Sequence, residues 1–234
     1  MPARAVVLPG SALLVPGAGG GADRLGDVRR AVDAALDRLV LAAVAPAATG
    51  RDGDAPLVVL APAPRGSAGG FGRRRPSLAG AGVADRWVPA VAAWAGSGPD
   101  PAPPAHVPAS VALVALGAAL RRAGADGRAD VVVLEVPAGA APATAGVTAL
   151  RRAAGVVVAG GAAPGTPGAP PGDPAPGDGS SGDAAPAAVL LAPGVAAALD
   201  AAVAPGRWSW HVTAVPGGHE HLPASYEVAE GRAG

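Results

Sequence analysis

The chain has 234 residues and no net charge, with 18 basic side chains against 18 acidic ones, so it has no global field to draw nucleic acid or an anionic membrane. Its lack of cysteine removes disulfides, thiolate nucleophiles and sulfur-ligated metals together. Half the residues are apolar but only 3% are aromatic, which predicts one domain whose core is built from Ala, Val and Leu.

Every basic residue is Arg and Ile is absent, a bias that fits GC-rich coding better than selection for phosphate recognition. Pro9, Gly10, Pro16 and Gly17 interrupt any leader-like apolar run near the start. No window reaches the ~18 uninterrupted apolar residues of a membrane span, because Val107 to Leu120 stops at Arg121-Arg122. The expectation is a cytoplasmic protein with no membrane and no nucleic-acid partner; a homo-oligomer is compatible with the sequence.

Ala5 to Leu8 predicts a short apolar strand. Asp23 stands at an N-cap position before Leu25, Val28, Val32, Leu36, Leu39 and Val40, whose spacing predicts a helix to about Val44. Arg29, Arg30, Asp33, Asp37 and Arg38 would cover its outer face as solvated i,i+4 partners. Leu57 to Ala61 is a continuous apolar run, as a strand buried on both faces of a parallel sheet requires. A Gly- and Arg-rich stretch, 65–82, precedes a short packed element marked by Trp87, Val88, Val91 and Trp94, and a proline-rich connector spans 99–108. Ser110 to Ala123 predicts a helix stopped by Gly124, Val131 to Val136 a third strand, Ala143 to Ala154 a helix, and Val156 to Ala159 a fourth strand. Residues 160–187 are almost wholly Pro, Gly, Ala, Asp and Ser, and 162–185 is expected to be a disordered insertion with little to bury. Val195 to Val203 predicts a helix. Trp208 to Val215 alternates as a half-buried strand does, with Trp208, Trp210, Val212 and Ala214 on one face. Strands alternating with helices predict a single α/β domain over 1–234, a three-layer α/β/α sandwich around a mostly parallel or mixed sheet.

Candidate sites are few. Gly17 to Ala22 satisfies a loose G-x-G-x-x-A before a helix, but Pro16 breaks the strand entry and a plain glycine turn is the better reading. Arg73-Arg74-Arg75 lacks interleaved aromatics and reads as a solvated loop. His219-Glu220-His221 is the cluster with metal-capable side chains, since two His one residue apart on a strand point the same way, although no third ligand follows from the spacing. His106 and His211 read as structural. An open α/β sheet places sites at the carboxyl ends of its strands, where Ser11, Arg65, Ser67, Glu135, Asp178 and Ser180 are available, with Ser11 and Glu135 the candidate pocket residues.

Leu8-Pro9-Gly10-Ser11-Ala12-Leu13-Leu14-Val15-Pro16-Gly17 resembles the N-terminal C-P-H-P-P-L-L-V-P-E signature of the LigB-like proteins, a family of class III extradiol ring-cleavage dioxygenases. Pro76 to Val83 is similar to that family's G-S-L-x-x-x-G-V stretch, and Val107 to Leu113 to its L-P-L-S-L segment. Gly177-Asp178-Gly179-Ser180, after an insertion at 162–176, resembles G-D-G-S; Ala192-Pro193-Gly194 and Gly206 to Val212 resemble the closing A-P-G and G-R-x-x-W-x-V segments. The resemblance implies a LigB-like fold and Fe(II) held by two His and one carboxylate, open to a catecholate and O₂. The degenerate positions are Gly10, Asp178, Ser180 and Ser181: the first ligand His corresponds to Gly10, and the His of active members that follows G-D-x-S falls near Ser181. No His follows the Leu57 to Ala61 strand. The expected protein is therefore a LigB-like domain that has lost Fe(II) and catalysis, with no cofactor. The alternatives are an enzyme with a rebuilt site, a metal-dependent dioxygenase or hydrolase using His219, Glu220 and His221, and a binding or scaffold module.

Overall fold

A computed structural model of the chain describes residues 4–19, 23–44, 55–92, 94, 102–125, 130–161, 191–203, 207–217 and 222–234. The insertion at 162–185, with Asp178, Ser180 and Ser181, and the His219-Glu220-His221 cluster lie outside the described residues.

Seven strands form one mixed sheet: β1 (Arg4–Pro9), β2 (Leu57–Pro62), β3 (Gly70–Gly72), β4 (Val131–Val136), β5 (Gly155–Gly161), β6 (Trp208–Pro216) and β7 (Ser225–Ala233). The order is β3-β4-β2-β5-β1-β7-β6. The central β4, β2, β5 and β1 are parallel, as their largely apolar sequences suit, while β3 pairs antiparallel with β4 at one edge and, at the other, β7 pairs antiparallel with β1 and β6 with β7.

The described helices are α1 (Gly26–Val44), the short α2 (Pro89–Ala92), α3 (Val107–Arg122), α4 (Thr144–Arg152) and α5 (Pro193–Ala202). The two-residue period of the strands divides the core into two halves. Val6, Leu8, Val59, Val133 and Val157 pack with α1 and α3 on one face. Ala5, Val7, Val58, Leu134, Val156 and Val158 pack with α4 and α5 on the other. Helices thus cover both faces of the sheet, on small aliphatic side chains throughout.

Helix α3 closes by the glycine device that its sequence announces. Gly124 takes φ +64°, the Gly124 amide donates to the Arg121 carbonyl, and the Ala125 amide donates to the Leu120 carbonyl at 2.9 Å. These two bonds satisfy carbonyls that the helix end would leave open, with Ala125 and Leu120 both buried beside them. At its start the helix begins earlier than its periodicity suggests, because Pro108 is tolerated in a first turn whose amides lack intrahelical partners.

Two strands go unannounced by the sequence. β3 is three residues, Gly70-Phe71-Gly72, too short to carry any alternation. β7 lies between β1 and β6, and its buried Tyr226 and Val228 do alternate, but Glu227, Glu230 and Arg232 give the stretch the look of a polar tail.

The charged face of α1 also differs from the expected i,i+4 ladder. Asp33 and Asp37 both accept from Arg122 of α3, at 3.0 and 2.8 Å. Arg38 reaches Glu230 of β7 with two bonds, at 3.0 and 2.7 Å. Arg30 pairs locally with Asp27 and Arg29 with Asp23, which stands before the helix without being its cap. These charges tie α1 to its neighbours.

The Arg38 guanidinium holds the Glu230 carboxyl below the usual glutamate range, against the smaller opposing effect of burial. A lowered carboxyl value contributes stability above the ordinary value of about 4.3, and that stability is lost as pH falls through the lowered one. The pair is largely open to water, so we expect Glu230→Gln to cost about 0.5–1 kcal/mol at neutral pH. Urea unfolding at pH 7 and near pH 3 should show that difference close toward zero in acid; a difference that persists would mean the side chain acts by packing.

Candidate functional site

The parallel strands end side by side at Pro9, Pro62, Val136 and Gly161, where an open α/β sheet places its sites. The first turn of α3 lies over them. A Cβ built on Gly10 would stand 3.0 Å from the Gly160 Cα and 3.4 Å from the Pro108 Cβ. One built on Gly160, which takes φ +79°, would stand 3.2 Å from the Pro62 ring. The ends of β1, β5 and β2 therefore meet α3 through glycine and proline, in backbone-to-backbone contact that leaves little room for a side chain at position 10.

One strand over, Glu135 is 4% exposed, and the alternation along β4 turns it toward α3. Its Oε1 accepts from the backbone amide of His106 at 2.7 Å. His106 is the N-cap residue of α3 and makes no side-chain cap bond of its own. A carboxylate from a strand thus does what the third-residue Glu does in a capping box, and it also sits where the helix dipole favours negative charge.

The His106 ring turns the other way and meets Ser67, with Nε2 3.2 Å from the hydroxyl oxygen. The Ser67 oxygen also accepts from the Gly69 amide at 3.2 Å. A Ser–His contact is the first half of a nucleophilic arrangement, and a carboxylate orienting the other ring nitrogen would be the second. Glu135 spends its oxygen on the main chain of His106, and among the described residues no carboxylate bonds to the ring. The contact therefore fixes the loop after β2 against α3.

Ser11 has a structural task as well, accepting from the Leu13 amide at 3.3 Å to cap the single 3-10 turn Ala12–Leu14. That turn separates β1 from α1, so the glycines that follow do not form a direct strand-to-helix phosphate loop. Gly20, Gly21 and Ala22 of that stretch are outside the described residues.

A partly buried polar network organises the loop between β3 and α2. Asp85 accepts from the Ser77 hydroxyl at 3.1 Å and the Leu78 amide at 2.8 Å, and Arg75 lies 3.3 Å away. The Ser110 hydroxyl of α3 accepts from the Ser77 amide at 2.9 Å and donates to the Ala105 carbonyl. Ser110 is fully buried and both sides of its hydroxyl are used. Arg73 pairs with Asp130, so two of the three consecutive arginines are held by carboxylates.

Glu135 and Ser67 are legible in the sequence as polar groups at strand ends, but their link through His106 is not, since residues 67, 106 and 135 meet only when the loop after β2, the N-terminus of α3 and the end of β4 are assembled. Among the described residues no three of His, Cys, Asp and Glu gather where they could hold a metal, and no helix is long and apolar enough to cross a membrane. No family model, curated protein or solved structure matches the chain.

Proposed function

We propose that the chain is a LigB-like α/β domain that has lost its Fe(II) centre and acts by binding a ligand or partner. The order of the short motifs along the sequence supports the family, and helices on both faces of a largely parallel sheet agree with it at the level of fold class. Two of the motif segments also meet in space, through the bond from the Ser77 amide to the Ser110 hydroxyl.

The observation that carries the loss of chemistry is the packing at Gly10. An iron centre of the two-histidine, one-carboxylate kind needs three donors facing one open position. Gly10 has no donor and lies against Gly160. The His106 ring is bonded to Ser67, and the Glu135 oxygen is given to the His106 amide. The described residues at the strand ends do not fit the group.

Anaerobic reconstitution with Fe(II), followed by metal analysis and a catechol cleavage assay, tests this reading. We expect far less than one equivalent of iron and no ring opening. One equivalent with cleavage would overturn it. One equivalent of zinc, lost on replacing His219 and His221 with Ala, would favour the rebuilt metal site instead.

A further inference from the structure

On the α1 face of the far edge of the sheet, the strand register sets two rows of side chains next to one another. Arg4 of β1 is opposite Arg232 of β7, which is opposite Ser209 of β6. In the next row Val6 is opposite Glu230, which is opposite His211. Ala35, Arg38 and Leu39 of α1 line the same open cleft, which has a volume of about 440 Å³. That lies within the range of small-molecule sites, about 300–1,000 Å³.

The charges in the cleft do not balance. Glu230 is matched by the two-pronged bond from Arg38. Neither Arg4 nor Arg232 has a carboxylate partner among the described residues. Like charges directly opposite on antiparallel strands destabilise a sheet, so this arrangement costs stability unless an anion lies between them. Arginines such as Arg24 and Arg65 are exposed, and Arg86 lies over the Trp87 ring. Arg232, itself exposed, and the half-buried Arg4 are instead cross-strand neighbours lining one cleft.

We propose that this cleft binds a small organic phosphate. Two guanidinium groups on neighbouring strands, neither with a carboxylate partner among the described residues, match a dianion in charge, and each presents the planar fork that holds phosphate oxygens in pairs. The apolar wall of Val6, Ala35 and Leu39 receives the organic part of the ligand. The site lies at the opposite edge of the sheet from Glu135 and β3, so it stands or falls independently of the iron question.

The test uses the full chain and three probes, phenyl phosphate, inorganic phosphate and benzoate, with thermal unfolding and titration calorimetry at low and high salt. Phenyl phosphate should raise Tm saturably and bind more weakly in high salt, and benzoate should bind far less well. Inorganic phosphate binding as tightly as phenyl phosphate would support the phosphate site and remove the role of the apolar wall. Arg232→Gln should weaken phenyl phosphate binding roughly tenfold or more, since a charge-assisted hydrogen bond is lost. In anion-free buffer the same variant should be as stable as the wild type or more so, because the repulsion with Arg4 is relieved. Arg121→Gln, on α3 and outside this cleft, should bind as the wild type does. Equal binding by wild type and Arg232→Gln, equal binding of benzoate, or no saturable response to either phosphate would overturn the proposal.

Discussion

Glu135→Ala is expected to lower the stability of the domain by about 1–3 kcal/mol in urea unfolding, the cost of leaving a half-buried amide without its acceptor. The His106 amide lies in the first turn of α3, where Pro108 has no amide hydrogen and Ala109, at the third helical position, has no side chain that could reach back. Glu135 thus supplies from β4 the acceptor that the helix itself does not. The truncation also leaves a gap beside Ala61 and Gly70, which flank Glu135 in the sheet. Glu135→Gln keeps an acceptor oxygen and loses the interaction with the helix dipole, so it should cost about 1 kcal/mol or less. The order Ala worse than Gln worse than wild type is the signature of a cap. If Glu135→Ala were as stable as the wild type, the carboxylate would be free to act on a ligand and a functional role would replace the structural one.

The interior strands and long helices were legible because each carries its own periodic signal. Leu57 to Ala61 is an unbroken apolar run and Val131 to Val136 one broken only by Glu135, and the structure makes both of them central parallel strands. The α1 stripe from Val28 to Val40 is buried along its length. What the sequence could not supply was information held between elements. β7 reads as a polar tail because it faces a cleft on one side, so its Glu230 and Arg232 look like surface residues until β1 and β6 are set beside it.

The same reason explains the reassigned charges of α1. Asp33 and Asp37 satisfy the i,i+4 rule for sharing a partner, but nothing in the local pattern names that partner as Arg122, 85 residues beyond Asp37. Glu135 was identifiable as a carboxyl group at a strand end. Its burial and its amide partner depend on where the α3 N-terminus lands.

Gly10→His is expected to destabilise the protein by about 1–3 kcal/mol and, on the function proposed above, to bring no Fe(II) binding. The new Cβ alone would stand 3.0 Å from the Gly160 Cα, closer than side chains ordinarily approach backbone. Overpacking at a tight contact is relieved only by backbone movement, with costs of that order. Gly160 has limited freedom to retreat, since its φ of +79° fixes the bend at the end of β5 and the Pro62 ring flanks it. A single histidine would also face the rest of the site alone, because Glu135 is committed to the α3 amide and the His106 ring to Ser67. Gly10→Ala separates the two effects: it carries the Cβ without the ring and should account for most of the loss if backbone contact is the cause. A Gly10→His variant that kept wild-type stability and took up one equivalent of iron would mean that the strand ends can open, and the centre would then be latent instead of lost.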